Sequence, residues 1–218
     1  MMTGRLLIIG LIVTGCGSIN YAPPTERSAR ENTVLIPAPR EAFWKIFVSN
    51  LSSDFFVINN LDKETGLINV SYSGDPEQFV DCGRIISKVS NAAGERTYDF
   101  PAARANQSYE VMNGIHLLRV NRQMQLDGRM NIIVQEEEKT STRVTVSTRY
   151  ALNRRVVVSD TQGRSASNAD SASFNYGQDG YFPIVGNSPS VTCRSTGNLE
   201  RQIILTAQKS AAAHLQKP

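Results

Sequence analysis

Two stretches of strict alternation, lying between Leu118 and Leu152, constrain this chain more than anything else in it. In the first, Leu118, Val120, Met124 and Leu126 alternate with polar residues, and Met130, Ile132 and Val134 continue the pattern. In the second, Val144, Val146, Thr148, Tyr150 and Leu152 face one way while Arg143, Thr145, Ser147 and Arg149 face the other. Successive side chains of a strand point to opposite faces, so this period predicts strands with one apolar and one wet face. Strands of that kind belong to antiparallel sheets. A single residue, Arg122, interrupts the apolar side. Asp127-Gly128 reads as a turn or bulge, or as a strand running through. Between the two stretches, Glu136-Glu137-Glu138-Lys139-Thr140 is a charged reversal. Its three carboxylates point alternately rather than converging, so a solvated hairpin tip is expected there and not a cation site.

The ends of the chain read as helices. Residues 39–51 begin with a proline, which the first helical turn tolerates, and carry Glu41 at the positive end of the dipole. Phe43, Trp44, Ile46, Phe47 and Leu51 then form one apolar stripe, and Trp44 is expected in the core. A hairpin follows, with a strand at 55–59, a turn ending in Gly66, and a return strand in which Ile68, Val70 and Tyr72 alternate. At the other end, Thr196 or Gly197 caps a helix in which Leu199, Ile203, Ala207 and Ala211 recur every four residues. The expected fold class is therefore α+β: an antiparallel sheet packed by an N-terminal and a C-terminal helix. The helix–strand–turn–strand unit near the start is similar to the domains of the C-subunit lipoprotein of the outer-membrane β-barrel assembly machine. That resemblance implies a helix-grip-like architecture, and carries no functional residue across.

The first sixteen residues give an address. Arg5, an apolar run over 6–13 and small residues before Cys16 have the layout of a secretory leader, and the run is too short to span a bilayer, which takes about 20 residues. Val13-Thr14-Gly15-Cys16 resembles the bacterial lipobox. The resemblance implies cleavage before Cys16 and acylation of that residue, and Gly17 after it implies sorting to the outer membrane of a Gram-negative bacterium. Two or more acyl chains anchor a protein stably, at about 0.8 kcal/mol per buried CH₂. The expected layout is a signal peptide over 1–15, an acylated tether over 16–38 and one periplasmic domain over 39–218. With Cys16 assigned to lipid, Cys82 and Cys193 remain as an even pair in an oxidising compartment, which predicts a disulfide.

Two segments show no clear period. Residues 84–113 mix Arg84, Lys88, Arg96 and Arg104 with Tyr98, Phe100 and Tyr109, and read as a solvated loop with aromatics tucked inward. Residues 159–190 are rich in Ser, Asn, Asp and Gly and read as a long loop. Loops of that length are often functional, which makes Phe174, Tyr176, Tyr181 and Phe182 the candidate partner surface. Arg154-Arg155 precedes Val156-Val157-Val158, which reads as an edge strand or as the end of a strand.

No catalytic machinery is expected. His116 and His214 have no cysteine or carboxylate at ligand spacing, so no metal site is read, and no phosphate-loop, dinucleotide or nucleophile-elbow pattern occurs. Thr196-Gly197 serves as a helix cap, not as an anion cradle. A net charge of +3 over 218 residues gives no reason to expect nucleic acid. The functional expectation is a non-enzymatic, lipid-anchored envelope protein with no cofactor, acting as an accessory or scaffold subunit with a protein partner. The alternative is a carrier of a small apolar ligand in a helix–sheet groove.

Overall fold

A computed structural model describes residues 16–25, 31–183 and 190–215. The expected leader over 1–15, residues 26–30 of the tether, 184–189 of the long loop and the side chains of His214 and Leu215 lie outside the described residues. In chain order the elements begin with β1 (Cys16–Ala22), β2 (Thr33–Ile36), α1 (Arg40–Ser52), β3 (Val57–Asp62), β4 (Leu67–Gly74) and β5 (Val80–Asp81). Next come β6 (Arg84–Asn91), β7 (Gly94–Pro101), β8 (Asn106–Asn113), β9 (His116–Glu138) and β10 (Ser141–Asp160). The chain continues through β11 (Ser165–Asn175), β12 (Asp179–Phe182), β13 (Val191–Ser195) and α2 (Asn198–Leu215).

The two alternating stretches are the hairpin β9–β10, paired from Leu118 opposite Asp160 to Glu138 opposite Ser141. Asp127-Gly128 is no turn; the strand runs through it. The 20 residues of β10 would extend about 65 Å at the usual rise per residue. That is far longer than an ordinary strand, so two shorter strands lie end to end along each side. β2 and β11 share the outer edge of β10, and β8 and β4 share the outer edge of β9, with β3 beyond β4. Two three-stranded sheets, β1-β6-β7 and β12-β13-β5, complete the fold.

One face of the hairpin is buried along nearly all its length. Val120, Arg122, Met124, Leu126, Met130, Ile132 and Val134 of β9 lie on it, with Val144, Val146, Thr148, Tyr150, Leu152 and Arg154 of β10. The two helices cover only the half nearer the tip. The stripe of α1 buries Phe43, Trp44, Phe47 and Leu51, and that of α2 buries Leu199, Ile203, Ala207 and Ala211. Arg40 at the start of α1 donates from Nε to the Val134 carbonyl at 3.1 Å. Gly66 follows the turn after β3 at φ 76°, where a Cβ would lie 2.1 Å from that same carbonyl oxygen, so only glycine fits. The other half of the hairpin is covered by β1 and β6. Ser87 of β6 donates to the Glu110 carbonyl at 2.6 Å, and the Tyr21 hydroxyl of β1 bonds Thr192 of β13.

The expected α+β class is thus corrected. Strands make up 61% of the structure against 16% for helix, in several sheets, and the fold is β-rich. The difference comes from the segments without a period. Residues 84–113 form β6, β7 and β8, and the 159–190 region contributes β11, β12 and the start of the run to β13. The expected tether contains β1, bonded along β6, and β2, bonded to Thr142–Thr145 of β10. Val156, Val157 and Val158 lie inside β10, between β9 and β11, and form no edge.

Cys82 and Cys193 are joined by a disulfide across 111 residues of chain. It lies where β5 pairs with β13, with Asp81 opposite Arg194. Closing a loop of that size stabilises a fold by up to about 4–5 kcal/mol in the chain-entropy picture.

At the middle of the hairpin Gly128 lies opposite Tyr150, and a Cβ on Gly128 would lie 3.0 Å from Leu199 of α2. The next residue of α2, Glu200, is fully buried and accepts the Tyr150 hydroxyl at 2.9 Å. Burial raises the Glu200 carboxyl above the ordinary 4.5, an effect that exceeds the lowering by its hydrogen bonds. An acid whose pKa is raised on folding binds its proton more tightly in the native state. Its contribution is therefore most favourable below the unfolded value and declines as pH rises toward the folded one. Glu200→Gln, which keeps an acceptor for Tyr150 and cannot ionise, is expected to flatten the fall in urea midpoint as pH rises from about 4.5. An unchanged pH dependence would show that Glu200 titrates as an ordinary carboxylate.

Candidate functional site

The half of the hairpin away from the helices forms one wall of a half-open cavity of about 530 Å³, in the usual range of about 300–1,000 Å³ for small-molecule sites. Strands supply its walls. Leu118 and Val120 come from β9, Val156 and Val158 from β10, Tyr109, Val111 and Met112 from β8, and Ile85 from β6. Gly17, Ser18 and Ile19 of β1, Asn113 of β8, Ala166, Ser167 and Asn168 of β11 and Val191 of β13 complete the lining. Neither helix contributes a residue.

The cavity has direction. Leu118, Val111, Val156 and Val158 are only partly buried, whereas Val120, Tyr109, Arg122 and Arg154 further along the same strands are buried. The inner end therefore carries the charge, and the outer part combines the hydrocarbon of Leu118, Val111, Val156 and Val158 with the exposed amides of Asn113 and Asn168. Register explains the placement: Val156 lies opposite Arg122, and Arg154 opposite Met124, all on the inward face of the ladder.

The two arginines differ in their partners. Arg154 forms a two-pronged ion pair with Asp170 of β11, at 2.8 Å and 2.5 Å, and its guanidinium carbon stands 4.3 Å from the centre of the Phe182 ring. Arg122 is 3% exposed, and its Nε has no hydrogen-bond partner. Its Nη2 donates one long bond, 3.4 Å, to the Pro101 carbonyl, and its guanidinium carbon is 5.3 Å from the Phe100 ring centre. Desolvation depresses this guanidinium to about 10, with Arg154 and Arg104 adding repulsion, so it still carries its charge at neutral pH. The titratable groups that act on it are Tyr109, Arg154 and Arg104, a phenol and two cations and no carboxylate.

A second depression, of about 760 Å³, adjoins Arg154 and Asp170 on their other side. It is wide open and bordered by Gln123, Gln125, Asn153 and Arg155, the polar residues of the wet face.

The sequence-derived site residues fare unevenly. Cys16 is an exposed free thiol at the start of β1, one residue from the cavity wall. Cys82 and Cys193 are bonded as expected. The four aromatics of the expected loop do not make one surface. Phe174 is buried, stacked on Tyr150 at 5.2 Å between centroids, because β11 pairs it opposite that residue on the inward face. Phe182 is buried beneath Arg154, Tyr176 is partly buried against the core, and Tyr181 alone is exposed, at 62%. Sequence reasoning passed over Arg122 and Arg154 as site residues. The available signal was the interruption of an apolar parity by a charge, noted for Arg122. Arg154 continues the inward parity of Tyr150 and Leu152 in the same way.

Removing one member of a buried ion pair strands the other. Asp170→Ala is expected to lower the unfolding free energy by about 3–5 kcal/mol, and Arg154→Met on that background to recover most of it. Urea denaturation of the two variants checks this; equal stability of Asp170→Ala and the parent would mean that Arg154 finds water instead.

Among known protein families, curated proteins and solved structures, none matches this chain, so the site is read from its own residues alone.

Proposed function

We propose that this protein is a non-enzymatic binding protein of the cell envelope that holds a small, largely apolar molecule in the cavity between β9–β10 and β1, β6 and β8. The observation that carries the reading is the cavity itself, walled by Leu118, Val120, Val156 and Val158 and similar side chains. Close-packed interiors seldom leave such a space without use. The expected acylation of Cys16 fits this reading. An anchor at Cys16 would hold the cavity wall formed by Gly17 and Ser18 beside the bilayer, where apolar molecules are found. On the lipobox resemblance, the protein faces the periplasm from the outer membrane.

A second reading is an accessory or scaffold subunit with a protein partner, favoured by β3. This strand is an edge of the large sheet, and Phe55, Val57 and Leu61 on and beside it are 48%, 63% and 43% exposed. An edge with exposed apolar side chains invites pairing with another chain.

Val158→Trp, placed in the outer part of the cavity, is expected to abolish binding of a neutral apolar fluorophore such as N-phenylnaphthylamine while leaving thermal unfolding near that of the parent. Parent protein that fails to enhance the fluorescence would overturn the binding reading. Cross-linking in the native membrane separates the second reading: adducts that vanish with Val57→Lys support it, and recovery as monomer alone counts against it.

A further inference from the structure

We infer that Arg122 is the head-group contact of the cavity, and that the molecule held there is a single-chain amphiphile ending in a carboxylate. The inference rests on the cavity being a binding site and adds the chemistry of its occupant. The walls and the inner end ask for different things. Leu118, Val111, Val156 and Val158 suit a hydrocarbon chain, and the inner end presents a guanidinium that is 3% exposed with an unpartnered Nε. Burial of a charge is tolerated when it is paired and hydrogen-bonded; Arg154 obeys that rule through Asp170, and Arg122 does not. A monoanion from outside would complete it.

The number of charges selects the head group. Asp170 neutralises Arg154 and Glu77 pairs with the nearby Arg104, so one unbalanced positive charge remains at the inner end. That matches a carboxylate and falls short of a phosphate monoester, which carries close to two negative charges at neutral pH. A planar guanidinium with spare donors is also shaped for the two oxygens of a carboxylate. The Tyr109 ring lines the cavity beside these groups, and its hydroxyl stays protonated because burial raises its pKa. It can donate a hydrogen bond and adds no competing anion. The Phe100 ring, tilted against Tyr109 at 5.0 Å between centroids, also packs on the guanidinium, so Arg122 is held by packing without being neutralised.

The test is a fluorescence titration of the full chain with cis-parinaric acid and with its methyl ester, which has the same chain and no charge. The acid is expected to bind at least about tenfold tighter than the ester. Arg122→Met is expected to bind the ester as the parent does and to lose the preference for the acid. Without ligand, Arg122→Met should melt at or above the temperature of the parent, because an unpaired buried charge has been removed. Arg122→Lys, which keeps the charge without the fork, should retain a reduced preference. Equal binding of acid and ester by the parent, or a preference that survives Arg122→Met, overturns the assignment while leaving the cavity reading intact. Failure of both probes to bind overturns the cavity reading and this one with it. A lower melting temperature for Arg122→Met, with no change in selectivity, assigns Arg122 a purely structural role.

Discussion

The ladder between β9 and β10 fixes what every other element can meet. Side chains alternate strictly along it, so a slip of one residue would turn the whole buried row out to solvent. The pairing has one irregularity, between Ser141 and Thr142 next to the tip, and from there to Asp160 the register is unbroken. The tip is itself held by the two-pronged Arg143–Glu137 pair, at 2.8 Å and 2.6 Å, which fixes the geometry of the turn more than it adds stability at so exposed a site. Gly128 then sets where the helix layer ends: with no side chain there, Leu199 can approach the strand, and α2 begins over the middle of the hairpin.

One apolar face thus receives two different covers. Over the tip half, two helices lay long side chains onto Met130, Ile132, Val144 and Val146, and the helices bond to each other through Asn50 and Ser210 at 2.9 Å. Over the other half the cover is a sheet, which stands about 10 Å away when sheets pack face to face. Filling such a gap takes large side chains from both sides. Here the covering strand β1 presents small residues, Gly17 and Ser18. The cavity is the volume these residues decline to fill, and Gly17 is small for a second reason, since a Cβ there would come within 2.7 Å of the Met112 side chain.

The parts legible in the sequence are those with a complete period. The alternation of β9 and β10, the stripes of α1 and α2 and the turn ending in Gly66 all satisfy one local rule, and the structure builds them where that rule puts them. The strands that were not legible fail it for identifiable reasons. In β6 the inward positions are Ile85, Ser87 and Val89, and the buried serine, satisfied by the Glu110 carbonyl, breaks the apolar pattern. β11 has the composition of a loop, Ser-Ala-Ser-Asn-Ala-Asp-Ser, because it is an edge strand of its sheet and part of its length lines the cavity. It is a strand because β10 offers it eleven consecutive partners, from Arg149 to Ser159. Sheet pairing of this kind comes from a neighbour distant in sequence, and a single-strand pattern cannot announce it.

Arg122 was the visible exception within the best-defined stretch, and its position makes the exception informative. Where each local preference agrees with the fold, a residue that breaks the pattern without an internal partner marks a place at which packing has given way to another requirement. The inward positions on either side of it, Val120 and Met124, are apolar and buried, so the strand needs no cation there for its register or its solubility. Phe100 and the Pro101 carbonyl hold the guanidinium in place but supply no negative charge. The protein therefore carries the cost of a desolvated cation at the inner end of the cavity, and any anion that fits would relieve that cost on binding. Occupancy and stability are then one quantity seen twice: a ligand that binds only the native state raises its stability as its concentration exceeds its dissociation constant.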